Sequence, residues 1–324
     1  MLTIRSTAIP DSPARAAKPV REPLRVALVQ HRHHPNPDDL RAELDTGIRL
    51  AAQQGARVVF LPELTLGAYP ASIPGGDNPV RAAEPLRSGP TFAFAAAAAA
   101  RHGLLVHASL YENCSDATDP ASTDGLGYNT AILVSPDGEL LARTRKLHIP
   151  VTAGYYEDTY FRGGPAGEDA YAVHRPGQLG GAGLGMPTCW DEWFPEVARL
   201  YALGGADILV YPTAIGSEPD HPAFDTRPLW QQVIVGNGIA NGTFMVVPNR
   251  WGTEGPITFY GSSFISDPYG RILAQAPRGE SAVLVADLDL DQRRDWLALF
   301  PFLATRRPDT YGRLLAPVHP HRLD

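Results

Sequence analysis

The sequence predicts an α/β protein with two sheets and outer helices. Three observations carry that reading. Short apolar, strand-like runs alternate with helical segments from Arg25 to Leu297, with no composition break and no repeat of roughly 20–50 residues. The first unit is strand–helix–strand, which makes its two strands parallel. Two later strand pairs join through Ser135-Pro136-Asp137-Gly138 and Asp267-Pro268-Tyr269-Gly270, turn compositions that fold a chain back into a hairpin.

Residues 1–22 are rich in Pro, Ala and Arg and have no apolar stretch of the kind a secretory signal needs, so a loose N-terminal arm is expected. One domain is expected over 23–315 and a tail over 316–324. Arg25–Gln30 reads as a buried strand. The His31-Arg32-His33-His34 cluster lacks a second ligand pair at a recognised spacing, which favours a solvated or pocket-lining loop over a metal site. Asn36 or Asp38 caps a helix to about Gln54, Gly55 ends it, and the strand Val58–Glu63 follows. The Gly- and Pro-rich run Gly67–Pro85 is an irregular loop near Glu63, whose Tyr69 either lines a pocket or packs.

Alanines make Thr91–His102 helical. Leu104–Leu110 is a strand with Tyr111-Glu112 at its end, and Asp116–Asp124 a polar loop. Tyr128–Val134 and Glu139–Arg145 form the first hairpin. Val151–Pro165, with Tyr155, Tyr156, Glu157, Tyr160 and Phe161, is expected to pack over the site or a neighbouring subunit. Ala170–His174 and the approach to Cys189 give two more strands. Pro195 suits a first helical turn; Val197, Leu200, Tyr201 and Leu203 follow at helical spacing, and Gly204-Gly205 ends the run. Ile208–Tyr211 reads as a strand, Pro212–Thr226 as a loop carrying Glu218, Asp220 and Asp225, Leu229–Ile239 as a helix and Thr243–Val247 as a strand. The second hairpin, Phe259–Ser266 with Arg271–Ala276, precedes a strand at Ala282–Leu288 and a short helix over Asp289–Leu297.

Composition narrows the function classes. A net charge of −7 over 324 residues argues against a nucleic-acid surface. Two cysteines, Cys114 and Cys189, are no disulfide framework and fit a reducing compartment. No apolar run approaches the roughly 20 residues of a membrane span, so neither a membrane nor a nucleic acid is an expected partner, and the absence of targeting signals points to the cytoplasm. Without a GxGxxG or a P-loop, neither dinucleotide nor NTP binding has support, and no cofactor is expected.

The chemistry concentrates at Met186-Pro187-Thr188-Cys189-Trp190-Asp191-Glu192-Trp193-Phe194-Pro195-Glu196, where a strand gives way to a helix. Such a bend exposes a side chain and leaves N–H groups pointing free. A lone cysteine is more often a small buried hydrophobe. Here Glu63 and Lys146 also end strands, and a base, a cation and a thiol at strand ends suit covalent cleavage of an amide bond.

These residues resemble the nitrilase superfamily, the carbon–nitrogen hydrolases. Its Glu, Lys and Cys signatures match, in order, as Phe60-Leu61-Pro62-Glu63, Arg145-Lys146-Leu147-His148 and Cys189-Trp190-Asp191, within a resemblance covering about residues 24–315. The stretches Cys189–Glu196, Tyr211–Pro219, Ile257–Ile265 and Arg306–Tyr311 are similar to the N-carbamoylputrescine amidase subgroup. The resemblance implies a four-layer α-β-β-α sandwich that pairs into homodimers or higher homo-oligomers. Departures stand at Pro187-Thr188, where relatives usually have an apolar pair, at Glu192, where the subgroup usually has Gln, and after Glu157, where Asp158–Gly164 lacks the usual Pro-Gly-Asp ending.

The resemblance implies that Glu63 takes the thiol proton, Cys189 attacks, and Lys146 with the Trp190 N–H stabilises the oxyanion. It also matches Glu112 to a second glutamate beside the lysine, the alternative being a carboxylate at a strand end. His148 is expected to be structural. Specificity is read from charge: after Cys189 stand Asp191, Glu192 and Trp193 rather than an Arg fork for a carboxylate. With Glu218 and Asp225 they suit a cationic amine tail against a carboxylate and an indole face. Trp190, Glu192, Tyr69 and Glu218 are thus the candidate substrate contacts, unless Glu192 and Glu218 are structural; Trp193, Trp251 and Asn249-Arg250 are further candidates to border the site. The expected substrate is a small amide or N-carbamoyl amine. Alternatives are a nitrilase, a β-ureidopropionase-like enzyme, an acyl-transferring or cyclising variant, a redox-sensing cysteine, and a non-catalytic interaction protein.

Overall fold

The structure, a computed structural model, describes residues 1–6, 8–113 and 124–317. Cys114 and nearly all of the loop expected at 116–124 lie outside the described residues, as does most of the tail. In chain order the strands begin with β1 (Leu2–Ser6), β2 (Leu24–Gln30), β3 (Val58–Phe60), β4 (Leu105–Glu112), β5 (Tyr128–Val134) and β6 (Leu140–Arg145). They continue with β7 (Val151–Thr152), β8 (Tyr155–Tyr156), β9 (Leu184–Gly185), β10 (Ile208–Val210) and β11 (Phe244–Val247). The last are β12 (Trp251–Glu254), β13 (Ile257–Tyr260), β14 (Phe264–Ser266), β15 (Ile272–Gln275) and β16 (Ala282–Leu288). The α-helices are α1 (Pro37–Gln53), α2 (Pro90–His102), α3 (Pro195–Leu203), α4 (Arg227–Asn241) and α5 (Asp291–Leu299).

Two main sheets result, a seven-stranded one in the order β1-β16-β2-β3-β4-β5-β6 and a five-stranded one in the order β15-β14-β11-β10-β9. The period-two alternation of strands decides the layers. On β2, Leu24, Val26 and Leu28 join Leu184, Ile208, Val210 and Phe244 in the core between the sheets. The intervening Ala27 and Val29 pack instead against Leu40, Leu44 and Ile48 of α1 and the alanines of α2. On the far side, Val197 and Tyr201 of α3 and Trp230 and Ile234 of α4 cover Leu209, Met245 and Val247. The result is an α-β-β-α sandwich.

Local chemistry sets the ends. The Asn36 side chain accepts the Asp38 N–H at 3.1 Å and caps α1, and α2 stops at Gly103 with φ 69°. β2 and β3 pair in parallel, as the first unit requires, and β5–β6 is the first hairpin.

Three expectations are corrected. The arm is docked along most of its length: β1 adds in parallel to β16, Arg15 pairs with Asp289 and Asp295, and Arg21 reaches Asp207 at 3.0 Å and Asp291 at 3.1 Å. The polar, Arg-bearing composition that looked like a free arm serves these acidic partners. Glu168–Tyr171 is a 3₁₀ turn rather than a strand, leaving one bridge between His174 and Leu184. The second hairpin is two hairpins, β12–β13 and β14–β15, because Gly261 and Ser262 take φ values of 53° and 56° and break the strand between them. Among the described residues no helix is long and apolar enough to cross a membrane.

Candidate active site

Glu63, Lys146 and Cys189 all stand just past the C-terminal ends of strands, β3, β6 and β9. The sandwich brings those ends together. Glu63 is fully buried. Its Oε1 accepts from Lys146 Nζ at 2.9 Å and from Asn129 Nδ2 at 2.7 Å, while Oε2 has no hydrogen-bond partner. One oxygen is therefore fixed, and the other is unengaged among the described residues. Lys146, also fully buried, donates at 2.6 Å to Glu157 Oε2 as well. Two of its three N–H bonds are thus committed to carboxylates.

Burial works against the Lys146 ammonium, but Glu157 and Glu63 outweigh it and hold the amine well above its usual range. Burial pushes the Glu157 carboxyl up to about 7, against the pull of Lys146. Burial and then Glu63 push the Cys189 thiol well above its ordinary value, and Lys146 does not reverse this. At rest Cys189 therefore carries a neutral thiol.

Cys189 has φ 40°, a strained value for a residue with a side chain, and its N–H donates to the Pro212 carbonyl at 3.1 Å. A 3₁₀ turn, Cys189–Trp193, follows and runs into α3 at Pro195. Buried Asp191 ties this elbow to the lysine's loop: it accepts from Thr188 N at 3.1 Å, from His148 N at 3.0 Å and from His148 Nδ1 at 2.7 Å. The His148 ring stacks on Phe194 at 3.7 Å.

A cavity of about 210 Å³ opens over the thiol. Cys189 and Glu157 lie at its base, Trp190, Trp193, Tyr155, Ile215 and Leu229 wall it, and Glu218 and Thr226 add polar groups. Among the described residues no arginine or lysine lines it. The set places a thiol, a buried carboxylate and a buried cation together, the kinds of group that covalent cleavage of an amide bond requires.

The sequence profile described as carbon-nitrogen hydrolase matches residues 25–298. The chain belongs to the carbon-nitrogen hydrolase family. Relatives of this carbon-nitrogen hydrolase include an N-carbamoylputrescine amidase of Arabidopsis thaliana, 38% identical over 83% of this chain and 87% of that protein. A citrullinase of Francisella tularensis is 34% identical over 90% of this chain and 98% of its own length. The crystal structure of a carbon-nitrogen hydrolase from Helicobacter pylori G27 superposes with a TM-score of 0.78 at 30% identity, covering 92% of this chain and all of that one.

Of the residues expected in the site of this hydrolase, Glu63, Lys146 and Cys189 converge, and Trp190 and Glu218 line the cavity. Glu112 does not reach the lysine. It pairs with Arg145 at 2.7 Å and accepts from Thr130 at 2.6 Å. Neighbouring strand residues point to opposite faces, so Glu112 shares a face with Arg145, and Lys146 turns the other way. The carboxylate beside the lysine is Glu157. Its signal was a lone Glu within a run of tyrosines, in an irregular loop eleven residues past Lys146 where no periodicity aims a side chain. Tyr69 lies outside the cavity lining and donates its OH to Glu157 Oε1 at 2.7 Å. Glu192 is fully buried beneath the elbow, outside the lining, with its carboxyl beside the Trp230 indole. Trp251 is also elsewhere, its Nε1 on Ser281.

Proposed function

We propose that this carbon-nitrogen hydrolase cleaves an N-carbamoyl amine that carries a positive charge at its far end, giving amine, carbon dioxide and ammonia. The carrying observation is the cavity itself: it holds Glu218 and indole walls, and no basic side chain to receive a carboxylate. Burial raises the Glu218 carboxyl while the Thr226 hydroxyl, 3.3 Å away, opposes the rise; an ammonium would complete the pair. The similarity to relatives named N-carbamoylputrescine amidase supports the same substrate class.

In this reading Cys189 Sγ attacks the ureido carbon and its proton passes to Glu63 Oε2. The oxyanion is met by the third Lys146 N–H and the Trp190 backbone N–H. The C–N bond to the leaving amine or ammonia then breaks as Glu63 returns the proton. Glu63 next deprotonates a water, which attacks the thioester and frees Cys189. Glu157 keeps Lys146 aimed. Copies of the chain pair through apolar surface left open on α3 and at the end of α5, where Leu200, Leu203, Leu299 and Phe300 are exposed.

The citrullinase similarity supports a second reading, a ureido substrate ending in an amino acid. Ammonia release from N-carbamoylputrescine, citrulline and N-carbamoyl-β-alanine separates the two. The cationic amine should be preferred by at least ~10-fold, and Glu218→Gln should remove most of that preference by raising KM. Equal use of all three would defeat the cationic-tail reading.

Glu192 gives the complementary expectation. Burial and the neighbouring Glu63 push its carboxyl well above the usual range, and it lies outside the cavity lining. Glu192→Gln, of the same shape and away from the cavity, should change kcat/KM by no more than ~3-fold. A loss beyond tenfold, confined to the cationic substrate, would mean that an ionised Glu192 meets it.

A further inference from the structure

We infer that Arg250 is a positioning residue for the general base, acting through a closed ring of hydrogen bonds that grips Glu63 at both ends. The inference rests on the reading of Glu63 as that base.

The ring begins in the backbone. Leu64 directly follows Glu63 and has φ 48°, a left-handed conformation that costs a leucine energy and needs outside support. Arg250, whose side chain is fully buried, supplies it. Its Nη2 donates to the carbonyls of Glu63 at 2.7 Å and Leu64 at 3.1 Å, and both terminal nitrogens reach the Gly67 carbonyl at 3.3 Å. A planar fork can hold several carbonyls of one turn at once; a lysine cannot. The same guanidinium is fixed from behind by Glu254 at 2.8 Å.

From Glu254 the ring runs to the chemistry. Glu254 Oε2 accepts the Tyr69 N–H at 2.8 Å. The Tyr69 hydroxyl donates to Glu157 Oε1 at 2.7 Å. Glu157 Oε2 accepts from Lys146 at 2.6 Å, and Lys146 donates to Glu63 Oε1 at 2.9 Å. The path has returned to Glu63, now at its carboxylate. Arg250, Glu254 and Tyr69 do not line the cavity, and their polar groups are engaged within the ring. Their shared effect is on where the free Oε2 of Glu63 stands relative to the thiol. Misplacing a reacting group by about 1 Å costs on the order of 100-fold.

The test uses Arg250→Lys, Glu254→Gln, Tyr69→Phe and the Arg250→Lys/Tyr69→Phe double variant. Readouts are thermal midpoint, kcat and KM, and the rate of Cys189 alkylation by iodoacetamide across pH, with wild type and Glu63→Gln as references. Alkylation reports the thiol and its base whatever the natural substrate is. Each single variant should slow both kcat and alkylation by ~10- to 100-fold, with KM within ~3-fold. The double variant should be no slower than the slower single, since one break opens the ring.

If Glu63→Gln alkylates as fast as wild type, the base reading falls and this proposal with it. If Glu63→Gln is slow while the ring variants match wild type in alkylation, only the proposal falls, and the buried pair is there for stability. Should Arg250→Lys fail to fold, Tyr69→Phe and Glu254→Gln carry the same expectation from the ring's other arc.

Discussion

Cys189→Ala should abolish turnover, by on the order of 10⁴-fold or more, in a protein that still folds. The fold should survive because the elbow does not depend on sulfur. Its hydrogen bonds come from the Cys189 N–H, Thr188 and Asp191, and alanine leaves only a small void, worth about 1 kcal/mol. Glu63→Gln should fall nearly as far for a different reason. The amide oxygen still accepts from Lys146 and Asn129 in the place of Oε1, so the site keeps its shape, but nothing is left to take a proton. Thiol and base act in one step, so the double variant should be about as slow as the slower single. Ammonia release from the best substrate, measured beside the thermal midpoint, checks all three. Activity of Cys189→Ala within tenfold of wild type would mean another nucleophile, and would leave the neutral buried thiol without a chemical role.

The legible part of this site is the part tied to regular elements. Glu63, Lys146 and Cys189 were readable because each ends a strand whose apolar pattern fixes where the chain goes. The sandwich was readable for the same reason: Val26 and Leu28 alternate with Ala27 and Val29, and only two covered faces satisfy that pattern. Glu157 was not readable as the lysine's partner, since a loop of short strands and 3₁₀ turns gives no rule for which way a side chain points. Glu112 is matched by the resemblance to a second glutamate beside the lysine, but one residue of offset along the strand puts it on Arg145 instead. Glu192 misled because acidity next to a nucleophile suggests contact, while the 3₁₀ turn carries it under the elbow and into the packing of α4, where the Asn237 side chain holds its carbonyl at 2.9 Å. The arm's docking was hidden because its partners, Asp207, Asp289, Asp291 and Asp295, lie far away in sequence.

Lys146→Met should cost both activity and stability, and the stability loss should grow with pH. The lysine is hydrogen-bonded between two fully buried carboxylates, and taking one partner out of a buried ionic group typically costs about 3–5 kcal/mol. Turnover should vanish as well, because the oxyanion loses its cation. The pH dependence follows from Glu157. Its carboxyl stands at about 7 with the lysine present, already above the ~4.3 of an unfolded glutamate. Without the lysine's attraction it rises further. A carboxyl whose folded value exceeds its unfolded one stabilises the fold fully below about pH 4 and loses that contribution as pH climbs through the folded value. The wild-type chain feels part of this loss, but the variant feels more of it and over a wider range. Urea midpoints at about pH 5 and about pH 8 should therefore show a modest gap between the two proteins at the lower pH and a large one at the higher. A gap that stays constant would mean that the lysine is not what makes the buried carboxylates tolerable. A gap that opens would show that the lysine's charge is what offsets Glu63 and Glu157 in the resting fold.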